Sequence, residues 1–188
     1  MAVSQDCAER AMLFSPESIV VGEVAPNARG IKTAIVALRT GAPATFLPTS
    51  PVRVTFEPSA FNDPTATRLN LVMQASAEVC AYLEQVDAWA IEHITKNSLS
   101  FFKKVLTSAE VAQMHKPCIQ ASEKYDASFK TNINIAGVRP LRCWTPDKLA
   151  REAPLEWRSC EVVPLVWVRT FWVQSNPAHP KQPLFKLE

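Results

Sequence analysis

The sequence predicts a mainly β fold with a helical insertion, α+β in class: a small antiparallel barrel or sandwich carrying one long and one short helix. Three observations carry this. Short runs rich in β-branched residues recur along the chain, bounded by Pro, Asn and Gly. One long stretch free of Gly and Pro repeats apolar residues at three- and four-residue steps. Strands and helices do not alternate, which disfavours a doubly wound parallel sheet. At 188 residues the chain suits one domain, 1–188, with the helical insertion at about 66–117.

SIVVGEVA (18–25) and IKTAIVAL (31–38) read as two strands, and the intervening PNARG as the turn of a hairpin. RTGAPATFLPTSP (39–51) carries Gly41, Pro43, Pro48 and Pro51 and reads as a loop. VRVTFE (52–57) alternates as a strand, and FNDPTA (61–66) is turn chemistry. The long helix is expected over 69–97, its apolar stripe being Val72, Val79, Leu83, Val86, Ala90 and Ile94. A short helix is expected at 108–116, capped by Thr107 or Ser108 and stopped by Pro117. In 127–138, Phe129, Thr131, Ile133 and Ile135 share one face of a strand, while Lys130, Asn132 and Asn134 share the other. The stretch 139–159 reads as a basic, proline-containing loop, 162–175 as the longest strand, 174–183 as a Pro-rich link and LFKL (184–187) as a last short strand.

Charge is modest overall, +2, but unevenly placed. Residues 1–100 hold seven Lys and Arg against ten Asp and Glu; residues 101–188 hold thirteen against eight, with ten of the sixteen aromatics. Cations interleaved with aromatics are what single-stranded nucleic acid requires, phosphates needing charge and bases needing flat apolar partners. A solvated basic surface and core tryptophans account for the same composition. The five cysteines are scattered without metal-ligand spacing and read as reduced thiols. The start, MAVSQDCAER, lacks the apolar stretch of a signal peptide, and no apolar run is long enough to span a membrane, so an intracellular protein is expected.

Enzyme templates are absent from the sequence: no P-loop, no dinucleotide fingerprint, no nucleophile elbow, no H-E-x-x-H. His93, His115 and His179 have no Cys or carboxylate at ligand spacing and read as ordinary surface or capping residues. The expectation is a non-enzymatic protein without metal or cofactor.

The strand VVPLVWVRTFWVQS (162–175) poses the functional question. Strict alternation puts Val163, Leu165, Trp167, Arg169, Phe171 and Val173 on one face, and Val162, Pro164, Val166, Val168, Thr170 and Trp172 on the other, better core face. Arg169 between Trp167 and Phe171 could hold a phosphate beside stacked bases, or both faces could be covered. On the first reading Lys130 and Asn132 on their strand, Arg139, Arg142 and Arg158 in the loop, and Arg169 contact phosphates, while Trp144, Trp157, Trp167 and Phe171 offer rings. On the second, the chain is a structural or adaptor subunit of a larger assembly, its hydrophobic strand and Pro-rich tail being protein contacts.

Ser98 followed by Phe101-Phe102-Lys103-Lys104, the Ser108-Ala109-Glu110 helix start, Pro117, the Tyr125-x-x-x-Phe129-Lys130 strand entry and a hydrophobic strand ending in an aromatic pair form an ordered set over roughly residues 50–175. This set resembles the OB-fold single-stranded-DNA-binding proteins of large DNA viruses of algae and protists, distant relatives of phage replication-type binding proteins. The resemblance implies a five-stranded OB-like barrel with a helical insertion and no enzymatic activity. It further implies that the protein coats single-stranded DNA, or RNA, in replication and recombination, in the nucleus or at a viral replication site. The partners it implies are the strand itself, replication proteins and further copies of the chain. The acidic tail of the phage members has no counterpart in PLFKLE.

Overall fold

In a computed structural model of the protein, residues 16–26, 31–60, 63, 65–122, 124–173 and 185–187 are described. The architecture is mainly β with three helices, α+β in class as expected. The hairpin at the start is present: β1 (Ile19–Val21) and β2 (Ala25–Pro26) both pair antiparallel with β3 (Lys32–Leu38). They are one strand interrupted at Gly22–Val24, where the register slips by one residue. The tip of this hairpin, and the whole of the Pro-rich link at 174–183 with His179, lie outside the described residues.

The expected loop at 39–51 contains a strand, β4 (Ala44–Phe46), and β5 (Val52–Arg53) follows. Both are partners of the long apolar stretch near the end of the chain. That stretch divides into β11 (Glu161–Val162), β12 (Val166–Val168) and β13 (Thr170–Val173), which pair in turn with β5, β4 and β3. One broken strand therefore lies antiparallel to the whole segment 32–53. Each excursion of that segment, at 39–43 and 47–51, forces a change of register opposite it. Proline and glycine content locates the excursions but hides the three strand residues between them. On its far edge β13 pairs with β14 (Phe185–Leu187).

The expected helix at 69–97 is two elements. Residues Arg68–Gln74 form a strand, β6, and α1 runs Ala77–Lys96. Leu69, Leu71 and Met73 alternate toward the core, a period-two signal that is equally consistent with the start of a helical stripe. Pairing decides the outcome: β8 (Tyr125–Asn134) meets β6 over seven residues, from Arg68 opposite Asn134 to Gln74 opposite Ser128. The Ser76 hydroxyl then accepts from the Val79 N–H at 3.3 Å and starts the helix. A third strand, β7 (Ile119–Ser122), completes the β6–β8–β7 sheet.

Two shorter helices, α2 (Ser98–Phe102) and α3 (Ser108–Met114), follow α1. Lys103, in the left-handed region at φ 62°, ends α2. Thr107 caps α3 in a reciprocal capping box with Glu110, and the chain leaves the helix ahead of Pro117. The helices lie between β6 and β7, so β6 itself occupies part of the expected insertion.

At 20 residues α1 is about 30 Å long, and it serves two apolar clusters. Its first half supplies Val79, Tyr82, Leu83 and Val86 to a core shared with Phe46, Val54, Leu71, Met73 and Phe129. Its second half supplies Trp89, Ala90 and Ile94 to one shared with Val36, Phe101, Val111, Phe171 and Phe185. Burying each large side chain contributes about 1.5–3 kcal/mol, so α1 joins the sheets through its own length. Among the described residues the sheets do not close into a barrel: the segment that follows β5 meets β6 through the isolated bridges Val54–Met73 and Ser59–Asn70, and β14 reaches the helical side through His115–Phe185.

Candidate nucleic-acid interface

The broken strand answers the question its sequence raises. Val162, Val166 and Val168 pack inward, and so do Phe171 and Val173, so the inward side changes from even to odd numbers at Arg169. The slip falls where β12 leaves β4 and β13 joins β3; the Arg169 carbonyl accepts from the Val36 N–H at 2.8 Å. An irregularity of this kind re-aims the side chains that follow it. Phe171 consequently leaves the candidate surface: it is fully buried against Trp89, with ring centroids 5.4 Å apart, and against His93 and Phe101. Trp172, assigned by alternation to the core face, stands half-buried on the opposite side. The outward side carries Val163, Leu165, Trp167, Arg169, Thr170 and Trp172, with Val163 and Leu165 about half exposed at 48% and 50%.

At the centre of this side the structure brings together three of the sequence-predicted residues. The Arg169 guanidinium carbon lies 5.3 Å from the centroid of the Trp167 ring, and that of Arg139 lies 5.6 Å from it. Both are within the roughly 6 Å over which a ring quadrupole attracts a cation. Arg139 arrives from the end of β8, where the Leu141 N–H donates to the Asn134 carbonyl at 2.6 Å and the Asn134 amide donates to the Arg139 carbonyl at 3.4 Å. These two bonds turn the chain back over β12. The Trp167 Nε1–H is buried and finds no acceptor among the described residues.

The other predicted residues occupy three separate places. Lys130 and Asn132 stand exposed on β8, opposite Val72 and Asn70, as the alternation of 127–138 requires. Arg142 and Trp144 lie on a small ladder inside the expected loop, β9 (Cys143–Trp144) with β10 (Ala150–Arg151); Trp144 is exposed and Arg142 precedes it. Trp157 packs half-buried against the core of β5, β6 and β8, and the Glu57 carboxylate accepts from its N–H at 3.0 Å and from that of Arg158 at 2.7 Å. Trp157 is therefore a covering residue for that core, and Arg158 is the exposed member of the pair.

Sequence reasoning misses Lys116 and Lys186. The Lys186 ammonium lies 5.4 Å from the Trp172 centroid. Partial burial lowers the Lys130 pKa, and the positive charges of Lys116 and Lys186 lower it further. No local motif marks either lysine, because β14 and the end of α3 meet only in the fold.

Of the histidines expected at the surface, His115 is interior and His93 is half-buried, its ring stacked on that of Phe171. His115 is 8% exposed, and its Nε2 lies 2.8 Å from Asp87, whose other oxygen accepts from the Cys118 N–H at 2.9 Å. Asp87 is 28 residues upstream of His115, beyond any ligand spacing. Burial pushes the Cys118 thiol up, and the Asp87 charge pushes it further. A thiol held in this form is a poor nucleophile, so the group pins α1 to the start of β7. Among the described residues no group of three or more His, Cys, Asp or Glu could hold a metal ion, and no helix is long and apolar enough to cross a membrane.

Comparison of the chain with protein-family models, with curated proteins and with solved structures finds no match.

Proposed function

We propose that the protein binds single-stranded nucleic acid, DNA in the first place, along the outward side of the 161–173 strand. The observation that carries this is the pair of guanidinium groups, Arg139 and Arg169, held on one Trp167 ring. Two like charges drawn to the same ring repel one another, and an anion between or above them relieves that repulsion. The ring fixes the position of both cations before any ligand arrives, while their outer planes stay free to contact phosphates and to stack on bases. The sequence resemblance to OB-fold single-stranded-DNA-binding proteins supports the same reading, with replication and recombination as the setting. The bent wall formed by β3, β4 and β5 against β13, β12 and β11 is then the described portion of an OB-like sheet.

The test is tryptophan-fluorescence titration with oligothymidylate of about 30 nucleotides, against duplex of the same length, over a range of salt. Single strand should quench and duplex should not. Arg139→Gln with Arg169→Gln should make the slope of log K against log salt shallower by about 1.4, at roughly 0.7 for each phosphate that is no longer neutralised. An unchanged slope removes these two residues from the interface.

A second reading, a structural or adaptor subunit, has its own observation. Val20 and Ile35 stand exposed beside Gly22 and Ala37 in a shallow apolar groove on β1 and β3, Ile35 at 65%. Failure of single strand to bind at low salt, with Ile35→Lys altering the oligomeric state or recovery of a co-purifying protein, would favour that reading.

A further inference from the structure

We infer that the β9–β10 hairpin is a second contact element for the same single strand, with the Trp144 ring as the surface on which one base stacks. This rests on the function proposed above and extends it to an element outside the two larger sheets. Among the described residues the β9–β10 ladder pairs with no other strand, and Trp144, 45% exposed, is in neither of the apolar clusters that α1 serves. The ring therefore holds no core together, whereas tryptophan is on average a highly buried residue.

The turn, and not the ring, keeps the hairpin in shape. The Thr145 N–H donates to the Leu149 carbonyl at 2.9 Å, the Lys148 N–H to the Thr145 carbonyl at 2.9 Å, and the Leu149 N–H to the Thr145 hydroxyl at 3.2 Å. Lys148 sits in the left-handed region at φ 62° within this turn. The cross-strand partner of Trp144 is Ala150, whose methyl group is too small to cover an indole. Much of the ring is thus left open to solvent, at a backbone position that the turn fixes before any ligand arrives.

A base is the occupant that these surroundings fit. Arg142, Lys148 and Arg151 are exposed on the hairpin, against Asp147 in its turn and Glu152 just beyond it. A ring set among charged and small polar side chains suits a base with its adjoining phosphates, while a protein hot spot needs a tryptophan ringed by contacts that exclude water. Leu149, 66% exposed, is the only other large apolar residue in 143–151. The hairpin also continues from the first cluster. Trp144 follows Arg139 by five residues, so at up to 3.6 Å per residue their backbones are at most about 18 Å apart. Arg139 is held on Trp167, and a single-strand site of about 4–16 nucleotides covers both rings.

The experiment uses the full chain and a dye-labelled oligothymidylate of about 20 nucleotides, longer than one such site, read by anisotropy because the variants remove a tryptophan. Trp144→Leu should lose roughly fivefold or more in affinity, the lower end of what one base–aromatic stack contributes. Its slope of log K against log salt should be unchanged, because a stack releases no counterion. Trp144→Phe, which keeps a ring, should recover part of the loss, and Leu149→Asn should bind as wild type does. Thermal melts that match wild type for Trp144→Leu tie its effect to binding. If Trp144→Leu binds as wild type does while Arg139→Gln with Arg169→Gln has its shallower slope, this inference falls and the proposed function stands. If Leu149→Asn loses as much as Trp144→Leu and Trp144→Phe recovers nothing, the hairpin acts through an apolar tip, as toward a protein, and the stacking role falls. If wild type does not bind the oligomer, the proposed function falls and takes this contact with it.

Discussion

Phe171 and Arg169 are two residues apart in sequence, and the fold assigns them opposite work, so substituting each should separate stability from binding. Phe171 is fully buried, with ring centroids 5.4, 5.8 and 6.0 Å from those of Trp89, His93 and Phe101. Truncation of such a residue removes its transfer free energy and leaves a cavity, so Phe171→Ala should cost about 3–5 kcal/mol. At this chain length that lowers Tm by roughly 6–20 °C. Arg169 is exposed, and Arg169→Gln removes one cation–ring interaction, about 0.5–1 kcal/mol. Its larger effect should be on binding, a salt slope shallower by about 0.7. Urea and thermal unfolding measure the first quantity and fluorescence titration the second. Phe171→Leu, which keeps most of the buried volume, allows binding to be read on a folded protein. A Phe171→Ala protein within about 0.5 kcal/mol of wild type would place the side chain at the surface and refute the register slip at Arg169. So would a Phe171→Leu protein that melts normally but no longer binds the single strand.

Two further outcomes follow from the buried polar groups. Burial lowers the His93 pKa below its ordinary 6.5, with Lys96 adding to the effect; the unfolded chain therefore binds the proton more readily, and the stability tied to neutral His93 is complete above about pH 6.5 and lost as pH falls below it. Tm measured through this range should fall on the acid side in wild type and fall less in His93→Gln; parallel curves would show that His93 does not titrate with folding. Asp87→Ala leaves the Cys118 N–H and the His115 ring without their carboxylate, two buried groups at about 1–3 kcal/mol each. It also removes one of the causes that keep the Cys118 thiol protonated, so denaturant unfolding should show the loss and thiol labelling of the folded variant should be faster than in wild type.

What is legible in the sequence follows the range over which each signal acts. The capping box of α3 and the alternation of 127–134 are local, needing only a few adjacent residues to be satisfied, and both are present in the fold. Arg68–Gln74 reads as helix because Leu69, Leu71 and Met73 fit the opening of a helical stripe, and only β8, some 60 residues later, shows that they belong to a sheet. Ala44–Phe46 misleads for the same reason. Its flanking prolines mark a loop, whereas its strand character comes from β12.

The candidate site divides along the same line. Choosing Arg139, Trp167 and Arg169 requires only that cations and aromatics be noticed, but joining them requires the turn that Asn134 and Leu141 make at the end of β8. Phe171 and Trp172 exchange sides for one cause: alternation assumes an unbroken ladder, and this strand changes partner at Arg169. The origin of that change lies in the segment opposite, since the excursion at 39–43 separates β3 from β4 and a strand pairing with both has to shift register to keep apolar residues inward. The slip buries Phe171 and brings Trp172 to the outside, beside Lys186. The loop chemistry of Gly41 and Pro43, far away in sequence, thereby sets which aromatic ring of the last long strand faces solvent.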